Sequence, residues 1–413
     1  MSGSKRYETT LIAILFCTWG TVFLDRTSQH FLAPYFIPEF HLTHQQVGML
    51  GSVLAVTWAI SSLFFGALSD RVGRKPILIP MVLGFSLLSW FSGLVHSYHQ
   101  LLFVRALLGA AAGPAWSVLT ALIEESSPSA RRGRNIGIVV SAGALVGLAI
   151  APVLTTQVAA LVGWRWAFFV CGVPGFILAV LIWKFVSEPE RIADPNAHGA
   201  PLHLGDFFSV LRYPNIWLCC AGAAGFLGWL FLFNIFAPIY ITEVAHKSAT
   251  TAGFLLGATG LGSFFFALVF PALSDRAGRK PVLLLAATLC MAVPLSLLIS
   301  PLYSYPWILA VIVFLTNAGQ GIAALIFVVI PTESVPPQFS ATAIGLATLA
   351  AEILGATLAP ILAGTAAQSY GLGITMWMSA GGAAVVFVAA LLLRETSEVK
   401  GSRPQVQQPA PVR

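Results

Sequence analysis

The stretch "GALSDRVGRKPIL", residues 66–78, returns almost unchanged as "PALSDRAGRKPVL" at residues 271–283. Only 9% of the 413 residues are charged, yet each copy holds four charged side chains. The equivalent acids, Asp70 and Asp275, lie 205 residues apart, which is about half of the chain. A charged phrase that recurs at this distance indicates two halves of similar architecture joined in one polypeptide.

The composition of the chain indicates a membrane protein. Hydrophobic residues make up 57% of the sequence and the mean hydropathy is +0.84, whereas soluble domains contain about 45–50% apolar residues. A soluble protein with so few charges would expose apolar patches and aggregate, but lipid solvates such surfaces directly. The net charge of +6 could indicate binding to nucleic acid or to an anionic surface, but the positions of the basic residues are more informative than their sum.

Twelve apolar segments are long enough to cross a hydrocarbon core of about 30 Å, which requires about 20 helical residues. Backbone groups inside lipid must be satisfied within the protein, so helices are required, and the unbroken hydrophobicity argues against the alternating strands of a barrel. The predicted spans are residues 10–36, 47–68, 77–95, 100–122, 135–157, 165–186, 215–240, 251–273, 281–301, 305–330, 341–364 and 372–393.

The placement of Lys and Arg predicts the orientation. If the N-terminus lies in the cytoplasm, eighteen basic residues fall on the cytoplasmic side and only Arg165 and Lys247 fall outside. Cytoplasmic loops of membrane proteins carry such an excess. We therefore expect a multi-pass protein of the plasma membrane, the inner membrane of a bacterium, with both termini cytoplasmic.

A second pair of similar segments supports the division into halves. "EESSPSARRGRNIG", ending at Gly137, is matched by "TESVPPQFSATAIG", ending at Gly345, and Glu125 corresponds to Glu333 208 residues later. The predicted fold is an all-α integral membrane protein with twelve transmembrane helices in two pseudo-symmetric six-helix bundles. We expect an N-terminal bundle at residues 1–186, a cytoplasmic linker at 187–212, a C-terminal bundle at 213–394 and a disordered cytoplasmic tail at 395–413.

Each repeated phrase falls in the cytoplasmic turn after the second span of its half. Its Asp can accept hydrogen bonds from the N-terminus of a neighbouring helix, and its bases can pair with acids at the ends of adjacent spans or with lipid phosphates. We predict that these contacts form a gate on the cytoplasmic side; alternatively the bases only fix the topology. The predicted gating residues are Asp70, Arg71, Arg74, Glu125, Asp275, Arg276, Arg279 and Glu333.

The repeated phrase resembles the loop 2–3 signature of the major facilitator superfamily of secondary transporters, and the second copy matches the same signature at loop 8–9. The resemblance covers essentially the whole chain. It implies two bundles that rock about a central site and open it to each side of the membrane in turn.

Four charged residues lie well inside spans: Asp25, Arg26, Arg105 and Glu352. A charge at such a depth costs at least about 2.5 kcal/mol unless it is paired or hydrated, so these residues are candidates for the transport path. Arg26 and Arg105 can hold a carboxylate or phosphate bidentately. Asp25 can neutralise them or carry a proton. The structural alternative is an ion pair that only packs the first and fourth spans together.

A narrower resemblance lies in the same segments. "FLDRTSQHFLAP", "RALLGAAAGPAW", "SAGALVGLAIAPVL" and "GWRWAFFVCGVPGFI" resemble the anion:cation symporter branch, which imports organic anions, usually with protons. In that branch the first span has an Asp-Arg pair, here Asp25 and Arg26, and the fourth span an arginine, here Arg105. Proton-coupled sugar-acid members have a glutamate where this chain has Ala112, and Glu352 is a candidate replacement.

The proton-coupled sugar-acid members also tend to carry polar or Tyr residues at the positions of Trp58, Ser62 and Ala144, which makes a polyhydroxylated substrate less favourable here. Further candidate substrate contacts are Trp58, Asn234, Asn317 and Gln320, although bonding between helices is equally compatible with the three amides. Trp19, Phe23, Trp116 and Phe233 are candidates for stacking on an aromatic substrate, with packing as the alternative.

The leading functional hypothesis is proton-coupled import of an organic anion, a carboxylate with an apolar or aromatic body. The alternative is a proton-driven exporter of drugs or metabolites. We find no Ser-His, metal-ligand or phosphate-loop arrangement, and expect no enzyme, cofactor or metal site. The expected partners are the small-molecule anion, a proton and the lipid bilayer, without nucleic acid, and the expected state is a monomer.

Overall fold

Helices form the regular elements of residues 2–188, 210–336 and 339–396, the part of the chain that the computed structural model describes. They are α1 (Ser2–Phe40), α2 (His44–Val72), α3 (Lys75–Gly93), α4 (Tyr98–Ser126), α5 (Arg131–Val162), α6 (Trp164–Phe185), α7 (Pro214–Val244), α8 (Ala249–Ala277), α9 (Arg279–Leu297), α10 (Pro306–Ser334), α11 (Thr342–Tyr370) and α12 (Gly373–Leu392).

Each predicted span overlaps one of these helices. Eleven of the helices are long and apolar enough to cross a membrane, and α2, with 29 residues, covers the remaining predicted span at 47–68. The expected all-α membrane architecture is therefore confirmed. Most of the predicted linker, residues 189–209, and most of the predicted tail, residues 397–413, lie outside the described residues.

Proline positions explain why several helices are irregular. In α5 the residues Gly143–Ile150 form a π-helical segment, and in α11 the residues Ala351–Leu358 form another. Pro152 and Pro360 follow the two segments at the same distance. Proline has no N–H, and its ring displaces the carbonyl four residues earlier, so the preceding turn widens.

The two sides of the membrane protein are distinguished by the chain ends. α1 begins and α12 ends on one side, which we call the terminal side, and both repeated phrases lie there because successive spans alternate in direction. We call the other side the opposite side, and we call α1–α6 and α7–α12 the two halves.

The halves meet through closely packed backbones on the opposite side. α5 packs against α8, where a Cβ added at Gly260 would lie 2.1 Å from the carbonyl carbon of Leu148. α2 packs against α11, where a Cβ added at Gly48 would lie 2.3 Å from the carbonyl oxygen of Pro360. Only residues without a side chain allow helices to approach this closely.

The buried apolar side chains also join the two halves on the opposite side only. One large cluster contains residues of both halves, and its members from α1 to α6, such as Leu24, Phe31 and Ala159, lie in the middle or on the opposite side. The terminal-side residues of the first half, such as Leu11 and Leu122, form a cluster that has no member from the second half among the described residues. The halves are thus joined on the opposite side and separated on the terminal side.

Candidate functional site

Arg26 lies in the middle of α1, at the boundary between the halves. Its guanidinium carbon is 4.4 Å from the ring centroid of Trp58 in α2 and 4.9 Å from that of Phe231 in α7. The ring of Phe23, one turn earlier on α1, is 6.0 Å away. Only 5% of Arg26 is exposed. The aromatic faces partly compensate the desolvated cation, because their quadrupoles present negative charge to it.

Glu352, in the π-helical segment of α11, is the acidic partner of Arg26 from the other half. The distance from Nη2 of Arg26 to Oε2 of Glu352 is 3.6 Å, which is an ion-pair distance but longer than a hydrogen bond. Neither atom has a hydrogen-bond partner among the described residues. Arg26 is buried and Glu352 is 13% exposed, so water screens their attraction only weakly, and the pair keeps hydrogen-bonding capacity for a third group.

Asp25 and Arg105 form a separate group inside the first half. Nη1 of Arg105 donates a 3.4 Å hydrogen bond to the main-chain oxygen of Asp25, and the guanidinium carbon lies 4.6 Å from the ring centroid of Phe168. Consecutive residues on a helix point about 100° apart, which is why Asp25 and Arg26 face different surroundings. Arg105 is completely buried there. The sequence suggested that Arg26 and Arg105 share one site; Arg105 lies beside the main chain of Asp25 and Arg26 lies beside Glu352, and a shared site stays a prediction.

The three predicted amide contacts have different local surroundings. Asn234 donates from Nδ2 to the carbonyl oxygen of Leu230 at 2.7 Å, within its own helix. Its position three residues after Phe231 puts it on the same face of α7 as the ring beside Arg26. Asn317 accepts from the N–H of Gly319 at 3.2 Å, where α10 is interrupted, and Gln320 lies half-buried just after that interruption.

The repeated phrases form matching ion pairs, each within one half. Arg74 contacts Glu125 at 2.7 Å in the first half, and Arg279 contacts Glu333 at 2.8 Å in the second. Arg279 also contacts Asp275 at 2.5 Å. Arg71 and Arg276 are exposed, and the side chain of Asp70 lies outside the described part of the chain. These contacts join helices of the same half, so their role as a gate remains a prediction.

The acids that bind the helix N-termini in these loops were not identified from the sequence. Glu188 accepts the backbone N–H groups of Arg74 and Lys75 at 2.6 and 2.8 Å. Glu395 does the same for Arg279 and Lys280 at 2.8 and 3.1 Å. We expected this role for the Asp of the repeated phrase. The sequence does contain a signal for this role, because Glu188 and Glu395 each follow the last span of their half and occupy equivalent positions.

Phe231 is the other residue of the site that sequence reasoning missed. Its ring contacts Arg26 and stacks edge-on against His30, with a centroid distance of 6.4 Å. The run "GWLFLFNIF" of α7 contains six other large aromatic or aliphatic residues, so composition alone does not single out Phe231. The surroundings of Arg26 therefore combine one cation, one carboxylate and three aromatic rings. This arrangement can hold a carboxylate and an apolar group side by side.

Comparison with known proteins places the chain in context. The family model described as Major Facilitator Superfamily matches residues 14–356. A probable 4-methylmuconolactone transporter of Cupriavidus pinatubonensis is 31% identical over 308 residues, 73% of this chain and 71% of that protein. The cis,cis-muconate transport protein of Acinetobacter baylyi is 29% identical over 350 residues, covering 81% and 82% of the two chains. The multidrug resistance protein MdtG of Serratia proteamaculans is 28% identical over 324 residues, covering 74% and 76%.

Among solved structures, a bacterial homolog of the human lysosomal transporter Spinster superposes with a TM-score of 0.73 at 19% identity, covering 93% of this chain and 97% of that one. At 19% identity this similarity shows only that the two proteins share a fold. The resemblances found in the sequence, to the superfamily and to its anion:cation symporter branch, are confirmed by the family match and by these relatives.

Proposed function

The chain belongs to the Major Facilitator Superfamily and is a secondary transporter of a membrane, not an enzyme, and we propose that it imports an organic carboxylate together with a proton through the site around Arg26. The relatives named as muconolactone and muconate transporters support a carboxylate with an apolar, unsaturated body. As the sequence suggested, the proposed location is a bacterial inner membrane, with the terminal side in the cytoplasm.

The observation that carries this proposal is the incompletely bonded Arg26 between the halves. A guanidinium held among three rings binds an incoming carboxylate more strongly than it would in water, since the interaction is weakly screened. A site between the halves is also where a bound solute can be reached first from one side and then from the other as the halves rock.

Glu352 supplies the proposed coupling to protons. In the empty site its carboxylate balances Arg26. When a substrate carboxylate takes the place of Glu352 beside Arg26, protonation of Glu352 keeps the net charge of the site unchanged. Proton and anion therefore bind together and are released together. Asp25 is the other candidate from the sequence; its carboxylate oxygens have no hydrogen-bond partner among the described residues, so this side chain is a second group that can take up a proton.

The test is uptake by proteoliposomes that contain the full chain. With an acidic exterior we expect accumulation of cis,cis-muconate and alkalinisation outside. Arg26→Ala should lower uptake about 10- to 100-fold, because a hydrogen bond to a charged group is worth about 1.5–3 kcal/mol. Arg134→Ala, at an exposed arginine on the terminal side, is the matched control and should stay within about twofold of wild type. Normal anion transport by Arg26→Ala would show that the site assignment is wrong.

The relative named MdtG favours a second candidate, the proton-driven export of drugs or metabolites. The same vesicles separate the two functions. Movement of organic cations against the proton gradient, with carboxylates ignored, would replace the import proposal by this one.

A further inference from the structure

A continuous run of aromatic rings leads from Arg26 toward the terminal side. The ring centroids of Phe23 and Trp19 are 4.9 Å apart, and those of Trp19 and Trp116 are 5.4 Å apart. Trp19, Phe23 and Arg26 follow one another at spacings of four and three residues, so they share one face of α1. Trp116 comes from α4 and is 36% exposed, which makes the far end of the run accessible.

The backbone of α5 fixes the first two rings in place. A Cβ added at Gly143 would lie 3.1 Å from Nε1 of Trp19, and one added at Gly147 would lie 2.5 Å from Cβ of Phe23. Both neighbours are glycines, so this side of the run offers no side-chain hydrogen-bonding group. The rings are therefore held by close packing, with the planes of Trp19 and Phe23 tilted by 53° and those of Trp19 and Trp116 by 48°, and the surface they form is largely apolar.

We propose that the run formed by Trp19, Phe23 and Trp116 selects carboxylates whose body is planar and unsaturated. This inference rests on the proposed function, because it requires that Arg26 bind the carboxylate. The carboxylate lies at Arg26, and the π-system of the substrate extends along the run, first against Phe23, whose ring centroid is 6.0 Å from the guanidinium carbon, and then toward the two indole rings, in the offset or tilted arrangements that aromatic pairs prefer.

The same geometry disfavours two other classes of organic acid. A saturated ring of equal size buries a similar apolar area but has no π-face to stack. A polyhydroxylated acid would lose hydrogen bonds with water that glycines and apolar rings do not replace. The selectivity is therefore for unsaturation and not for hydrophobicity alone.

Three monocarboxylates test this distinction in proteoliposomes: benzoate, cyclohexanecarboxylate and gluconate. We expect kcat/KM for benzoate to exceed that for cyclohexanecarboxylate by about three- to tenfold, the range expected for an aromatic pair, with gluconate the poorest. If cyclohexanecarboxylate, the more hydrophobic acid, is transported as well as benzoate, the inference is wrong while the proposed function stands. If none of the three and no muconate is transported, the proposed function itself has failed.

Variants of Trp116 locate the selectivity. Trp116→Leu should lower the ratio of benzoate to cyclohexanecarboxylate about twofold, because Trp19 and Phe23 keep their π-faces, while leaving cyclohexanecarboxylate transport within about threefold, which also shows that the variant is folded. Trp116→Phe should keep most of the ratio, because it keeps a π-face. Trp166→Leu, at a 58% exposed residue of α6 on the opposite side, is the matched control and should not change the ratio. A Trp116→Leu variant that slows both acids equally would overturn the assignment.

Discussion

The π-helical segments Gly143–Ile150 in α5 and Ala351–Leu358 in α11 occupy equivalent places in the two halves, 208 residues apart. Each precedes a proline at the same distance, and each contacts the other half: the first through Leu148 against Gly260, the second through Thr357, whose carbonyl oxygen accepts a 2.7 Å bond from Ser52. Only the second segment carries a charge: where α5 has Ala144, α11 has Glu352.

This difference indicates how a duplicated fold acquires an asymmetric site. The backbone irregularity and the close packing are common to both segments, so they serve the architecture. The single carboxylate is present only in α11, where it faces Arg26 from α1. π-helical segments often occur at functional sites, and here one of the two carries the charge.

The largest expected effect comes from the packing that both segments share. Gly260→Leu places a side chain where even a Cβ would lie 2.1 Å from the backbone of Leu148, so the halves cannot keep their contact on the opposite side. We expect at least a tenfold loss of uptake at equal protein abundance in proteoliposomes. Gly381→Leu, where nothing lies within 4 Å, is the control and should transport normally. Normal uptake by Gly260→Leu would mean that this contact is dispensable.

The next effect concerns the residue that distinguishes the segments. Glu352→Gln keeps the shape of the side chain but cannot carry a proton. We expect exchange of labelled for unlabelled muconate across the vesicle membrane to continue, since exchange needs no net proton movement, while accumulation driven by a pH gradient falls about tenfold or more. Glu124→Gln, at an exposed acid, is the control. Undiminished accumulation by Glu352→Gln would assign the coupling to another group.

The smallest effects belong to the loops, where the halves are most alike. Arg74–Glu125 and Arg279–Glu333 have similar geometry and are partly exposed, so each pair contributes about 0.2–1 kcal/mol. Glu125→Gln and Glu333→Gln should therefore each lower the initial uptake rate by about two- to fivefold and to a similar extent. A much larger effect of one variant than of the other would show that the gating prediction holds for one half only.

Much of the architecture follows from the sequence because repetition and hydropathy are long-range signals. The repeated phrase and the twelve apolar segments predicted the helices and the two halves. The sequence also marked Arg26 and Glu352 as charges in lipid. Their pairing depends on how α1 and α11 are rotated when the halves pack, and no local pattern encodes that rotation.

The same reason explains the contacts that the sequence did not identify. The surroundings of Arg105 depend on the rotation of α4, which brings its guanidinium beside the main chain of Asp25. Glu188 and Glu395 lie more than 110 residues from the helix ends that they bind, so reading the loop by itself does not find them. Phe231 is one of many aromatic residues, and only its distance from Arg26 distinguishes it.

The division of the buried core has a mechanical consequence. The cluster around Leu11 and Leu122 contains no side chain from the second half among the described residues. The first half can therefore rotate as a rigid body about the region where the halves are joined on the opposite side, without separating the packed side chains of this cluster. A rotation of the halves about this region moves the terminal-side ends of the helices farthest, whereas access from the opposite side requires the close contacts of Gly48 and Gly260 to separate.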